Sequence, residues 1–153
     1  MLRTAPVLLL LATACRSMSA YEPLIDPVDY LDLRLEPCPQ SPNCVSSQSW
    51  SPDQRVEPLA FAGDPGEALD RLAELVEAEP GARVVERRGI LLRAEYRSRI
   101  FGFTDDLSLL ADEAGGVIHV RSASRIGWSD LGVNRRRVDA LREAFSHSML
   151  PIP

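Results

Sequence analysis

The sequence predicts an α+β domain in which an antiparallel sheet of about five strands carries two helices on one face, in the order strand, helix, four strands, helix. Three observations predict it. Two segments repeat apolar residues at helical spacing, at Leu69, Leu72, Ala73 and Val76 and again at Val138, Leu141, Phe145 and Met149. Between them lie short segments in which apolar and polar residues alternate, as half-buried strands do. The turns joining those segments, at Arg88-Gly89 and Gly115-Gly116, are too short for a parallel crossover, so neighbours pair antiparallel. Two amphipathic helices over one sheet face make a two-layer domain.

Each element has its own signal. Residues 56–61 read as a short strand. Asp64-Pro65-Gly66-Glu67 then supplies an N-cap, a proline at the first helical position and a glutamate three residues after the cap. Pro80-Gly81 stops that helix. Residues 83–87 and 90–97 form the next two strands. In the second, Ile90, Leu92, Ala94 and Tyr96 make an apolar face, and Leu91, Arg93, Glu95 and Arg97 a mostly charged one. Residues 103–112 and 117–123 complete the meander, and Asn134 is read as the cap of the final helix.

Ahead of the domain, residues 1–14 have the character of a secretory signal peptide. Arg3 precedes an apolar run of about ten residues, too short to span a hydrocarbon core of ~30 Å. The run ends in Ala12-Thr13-Ala14-Cys15, which resembles the bacterial lipobox; alanine stands at position 12 where leucine is usual, with Leu11 one place earlier. The resemblance implies export, cleavage before Cys15, and a membrane partner reached through lipid on Cys15. More than one acyl chain gives durable anchoring where one gives marginal binding. Arg16 stands where an aspartate would favour the inner membrane, so a periplasm-facing protein on the outer membrane is the expectation. Residues 15–36 then read as a tether with a docked end, and 37–150 as the domain.

Composition narrows the partners. The net charge is -5, and loss of Arg3 with the leader makes it one unit more negative, which argues against nucleic acid. Every basic residue is arginine, a bias that a GC-rich genome explains as well as any selection for bidentate pairing.

Lipid on Cys15 would leave Cys38 and Cys44, in Cys38-Pro39-Gln40-Ser41-Pro42-Asn43-Cys44. Two prolines and an asparagine turn the chain back on itself, and an oxidising compartment would join the pair. So small a loop contributes roughly 2 kcal/mol when closed. A metal site built with the distant His119 and His147, and a reactive thiol, are the other readings of the pair.

Three stretches stand out together: Cys38 through Val45-Ser46-Ser47-Gln48; Arg99-Ile100-Phe101-Gly102-Phe103-Thr104-Asp105-Asp106; and Val120-Arg121-Ser122-Ala123-Ser124-Arg125-Ile126-Gly127-Trp128-Ser129-Asp130-Leu131-Gly132-Val133-Asn134-Arg135-Arg136-Arg137. In order, spacing and content the chain resembles domain-of-unknown-function family 1499, of bacterial and plastid envelope-type proteins, over about residues 37–147. The resemblance implies one domain and marks these stretches; it implies no reaction.

Within them, Asp105 falls on the apolar side of its strand, where a charge must be paired or sit at a bulge. Asp105 and Asp106 together read as a cation site, an acid–base pair, or neutralisers of nearby arginines. Arg97, Arg99, Arg121, Arg125, Arg135, Arg136 and Arg137 supply those arginines, and the last three open a helix whose N-terminus is already partly positive. They therefore need internal acids such as Asp130 or an anionic ligand. Asp130 to Asn134 has a faint likeness to a calcium loop but reads better as a turn. His119 shares a strand face with Arg121 and is a candidate base, although no serine has an evident histidine partner. Residues 121–137 are expected to wrap around the strand bearing Asp105 and Asp106. No metal or cofactor is expected. The expectation is a non-enzymatic envelope lipoprotein whose arginine- and aspartate-rich loop recognises an anionic group or an envelope protein, or braces an assembly. The alternative is a small hydrolase or isomerase using Asp105, Asp106 or His119.

Overall fold

A computed structural model describes residues 34–98 and 102–149. The leader 1–14, Cys15, the tether as far as residue 33, and Arg99 lie outside the described residues. The fold is α+β, with a six-stranded antiparallel sheet and two helices. Its elements are β1 (Cys44–Ser46), β2 (Leu59–Ala60), α1 (Pro65–Glu77), β3 (Ala82–Arg88), β4 (Leu91–Arg97), β5 (Thr104–Asp112), β6 (Val117–Ser124) and α2 (Val133–Ser148). The sheet runs β1-β6-β5-β4-β3, with β2 pairing β6 beyond the end of β1.

Local chemistry accounts for the elements. Asp64 caps α1 by accepting the Glu67 N–H at 2.9 Å. Leu69, Leu72 and Val76 form the fully buried stripe of α1, and Val138, Leu141 and Phe145 that of α2. Both stripes join Leu92, Ala94, Leu107, Leu109, Ile118 and Val120 in one core, so both helices cover the same sheet face. On the other face Leu35 is buried with Leu91 and Leu110, so the chain entering the domain already lies against the sheet. Edge strand β3 shifts register between Val84 and Glu86, a bulge that leaves Val85 without a partner on β4.

Two expectations need correction. The first strand is shorter than residues 56–61: only Leu59–Ala60 pairs, because Pro58 has no N–H to give a ladder. A strand is also added ahead of it, since the three residues of β1 lie between turn-forming residues and are too few to show alternation. The second correction concerns Asn134. It is not the cap of the last helix but a wholly buried residue within its first turn. Asp130 does the capping, accepting the Gly132 N–H at 3.0 Å and the Asn134 N–H at 2.6 Å.

Candidate functional site

Consecutive residues of a strand point to opposite faces, so Asp105 and Asp106 part company. Asp105 faces the helices, where its Oδ2 accepts from Arg137 Nη2 at 2.6 Å; the side chains are only 14% and 9% exposed. The Arg137 guanidinium also lies over the Tyr96 ring, 4.2 Å from its centroid. It donates to Ser122 Oγ at 3.0 Å and to Asn134 Oδ1. The same Asn134 oxygen accepts from Ser122 Oγ at 2.6 Å, while Nδ2 donates to the Asn43 carbonyl at 3.0 Å and Ser124 Oγ at 3.1 Å. Asn43 Nδ2 in turn donates to the Gly127 carbonyl at 2.6 Å. One network thus joins Asn43, Asp105 and the 122–137 segment, one contribution from each of the three marked stretches. Freed from capping, Asn134 is its hub.

Beneath it, burial pushes the Glu79 carboxyl above its ordinary value against the opposing pull of Arg137. Burial, reinforced by the Glu79 charge, pushes the Tyr96 phenol well up.

Asp106 emerges on the far face. Arg125 grips it with Nε at 2.9 Å from Oδ2 and Nη2 at 2.7 Å from Oδ1, and Nη2 also reaches Glu95 Oε1 at 2.6 Å. Arg83 closes on Glu95 from β3 at 3.0 Å. Hydrogen bonds from Arg125 and then Arg83 hold Glu95 below its ordinary value, and Asp106 with Glu95 holds Arg125 above its own.

The remaining candidates lie elsewhere. Arg135 donates to the main-chain carbonyls of Arg55 at 3.0 Å and Asp53 at 2.7 Å, and Arg136 to that of Leu131 at 2.9 Å. Arg97 ends β4 opposite Thr104, exposed. Arg121 points to the sheet face away from the helices, 10% exposed, with Glu36 at 3.5 Å and no hydrogen bond to its Nε among the described residues. Residues 121–137 therefore bring Arg125 and Arg137 to the two aspartates and take Arg121, Arg135 and Arg136 to other partners, and Arg97 of β4 makes no ion pair with either aspartate among the described residues.

Sequence reasoning missed one pair and one surface. Ser47 Oγ sits 3.2 Å from His119 Nδ1, and Asp112 Oδ2 lies 4.0 Å from His119 Nε2. The serine and histidine are 72 positions apart, so no local pattern joins them. The arrangement locks a turn more readily than it attacks a substrate, because Ser47 is buried and its oxygen accepts the Val120 N–H at 3.0 Å. Burial holds His119 below its ordinary value, only partly offset by Asp112. The missed surface is the loop 125–132. It leaves Ile126, Trp128 and Leu131 in solvent, and the hydrophobic periods of the flanking elements give no sign of it.

Cys38 and Cys44 form a disulfide with Cα atoms 5.6 Å apart. It closes the turn that delivers Asn43 to the network. Beside it lies a shallow depression of about 310 Å³ lined by Cys38, Pro39, Gln40, Pro42, Ser51, Asp53 and Gln54. Among the described residues no helix is long and apolar enough to cross a membrane, and no cluster of histidine, cysteine and carboxylates could hold a metal.

A two-layer α+β domain braced by paired arginines and aspartates is thus the class of protein the fold and site define. The profile of the family described as protein of unknown function (DUF1499) matches residues 34–145, most of the chain, and the protein belongs to that family. Among curated proteins none matches the sequence.

Proposed function

We propose that the protein is a non-enzymatic, lipid-anchored module of the bacterial envelope in which the arginine–aspartate network braces a loop that meets a partner. The observation that carries this reading is the mutual satisfaction of the network. Arg137 with Asp105 and Arg125 with Asp106 spend on each other the charges that a ligand or substrate would need. The acid–base alternative has less support, since the two carboxylates face opposite sides of the sheet and cannot act on one substrate. Recognition of an anionic group falls instead to Arg135 and Arg136, which spend hydrogen bonds on neutral carbonyls and keep their positive charge. Anchoring rests on the sequence of the leader and Cys15, and the periplasm-facing, outer-membrane placement on Arg16.

Two measurements test the reading. Intact mass of membrane-extracted protein should show a chain beginning at Cys15 with diacylglyceryl and N-acyl additions; an unmodified Cys15 in a soluble periplasmic product rules out the anchor. In a complementation assay, Arg135→Ala combined with Arg136→Ala should lose function at an unchanged melting temperature. Full function in that variant removes the anion-recognition part of the reading.

A further inference from the structure

We propose that the loop 125–132 is a membrane-docking tip that seats in the headgroup region of an anionic phospholipid bilayer. The inference deepens the function proposed above and takes from it only that Cys15 carries lipid. Ile126, Trp128 and Leu131 are 66%, 72% and 84% exposed on this one loop. Phe103 and Val133, 49% and 41% exposed, sit at the same end of the sheet, where the Arg125 N–H donates to the Thr104 carbonyl. Scattered exposed apolar residues are ordinary, but a concentration of this kind marks an interaction surface.

The loop is held rather than loose. Asn43 grips the Gly127 carbonyl and Asp130 fixes the turn into α2. Leu131 sits at φ 53°, a left-handed conformation that a leucine adopts only against steric resistance. The turn that Asp130 closes imposes this conformation at some cost, and it leaves the side chain in water.

Charge and reach favour lipid over other occupants. Tryptophan and aliphatic tips beside arginines suit the bilayer interface, where apolar and anionic groups meet within a few ångströms. Arg136, bonded to the Leu131 carbonyl, puts its charge beside the tip, and Arg135 adds a second in the same first turn of α2; no ion pair among the described residues cancels either, and the helix N-terminus adds to the positive potential. Two copies meeting through the same patch would set these arginines against one another. The depression beside the Cys38–Cys44 bond lies among residues 38–54, not at this loop. Leu35 docks against Leu91 and Leu110, toward the other end of the sheet. From there residues 16–33 reach at most about 60 Å at ~3.3 Å per residue, against about 30 Å for the length of β5. A chain anchored at Cys15 can thus lay its far end on the same bilayer.

The chain has two tryptophans, so Trp50→Phe leaves Trp128 as the sole reporter. The full protein carrying this change, extracted from membranes, is reconstituted into phosphatidylethanolamine–phosphatidylglycerol vesicles with brominated acyl chains. Trp128 emission should shift to the blue and lose most of its intensity. Adding Ile126→Ser and Leu131→Ser should restore it, with the melting temperature no lower. Trp128 emission that brominated lipid leaves untouched and aqueous iodide quenches overturns the proposal. So does a blue shift that grows with protein concentration in detergent alone, which would assign the surface to a second copy. Intact mass of the same sample separates the two readings. Lipid on Cys15 with Trp128 in water leaves the anchor standing and the docking refuted; quenching without lipid does the reverse.

Discussion

Asp105 and Asp106 follow one another along β5, yet Asp105 closes on Arg137 at 2.6 Å on the helix side of the sheet and Asp106 on Arg125 at 2.7 Å on the other. The pleat of one strand turns a run of like charge into two separate clamps. Both clamps pull on the same segment: Arg125 opens the exposed loop and Arg137 lies in the helix that follows it.

The two clamps should differ sharply in worth. Arg137→Ala leaves Asp105 with little water and no counter-charge, and should cost about 3–5 kcal/mol. Arg125→Ala acts on an exposed, screened pair and should change stability far less. Replacing Arg137 and Asp105 together by Met and Leu should recover most of the loss, because no unpaired charge remains. Denaturant midpoints decide it; equal effects of the two single arginine variants would mean that burial does not govern these pairs.

Leu131→Gly should stabilise the protein. Relief of the left-handed conformation outweighs the added entropy of glycine in the unfolded chain, for a net gain of roughly 0.5–1 kcal/mol. Leu131 is too exposed to lose packing. A lower melting temperature in the glycine variant would show that the side chain supports the fold.

Stability should also fall as pH drops below the ordinary histidine value of 6.5. Burial lowers the folded-state value of His119, so the unfolded chain binds the proton more readily. Its contribution is complete above 6.5 and is lost as pH falls toward the lower folded value. His119→Gln should flatten the melting-temperature profile in that window. An unchanged profile would place the titrating group elsewhere.

Reducing the Cys38–Cys44 bond, or replacing both cysteines by serine, should cost roughly 2 kcal/mol by loop closure. It should also loosen the loop 125–132, because Asn43 lies inside the disulfide ring. Hydrogen exchange at Gly127 and its neighbours reads this directly; protection there unchanged by reduction would show that Asn43 holds its place unaided.

What the sequence revealed was what short range decides. The cap at Asp64, the stripe of α1 and the small cysteine ring each rest on residues within a few positions. The apolar-side placement of Asp105 followed from alternation alone, and with it the need for a partner. Three features depend on distant chain or backbone geometry and were hidden. Asn134 carries the residue type of a cap but lost that role to Asp130, a competition settled by the turn at 130–132. Ser47 and His119 meet only because β1 is laid against β6. The exposure of Ile126, Trp128 and Leu131 belongs to a loop whose path is set from behind by Asn43, far away in sequence.

Strand β3 leaves one border of the sheet open, and its bulge at Val85 and its arginines and glutamate make that border a poor template for another chain. The opposite border carries two very short strands and the returning chain at Arg55. Neighbouring molecules would therefore crowd without zippering edge to edge, and self-association by strand exchange is discouraged from both sides. If these proteins gather into an array, the joints must be made by side chains at the tip or the flanks, and such joints can come apart without unravelling any β-structure.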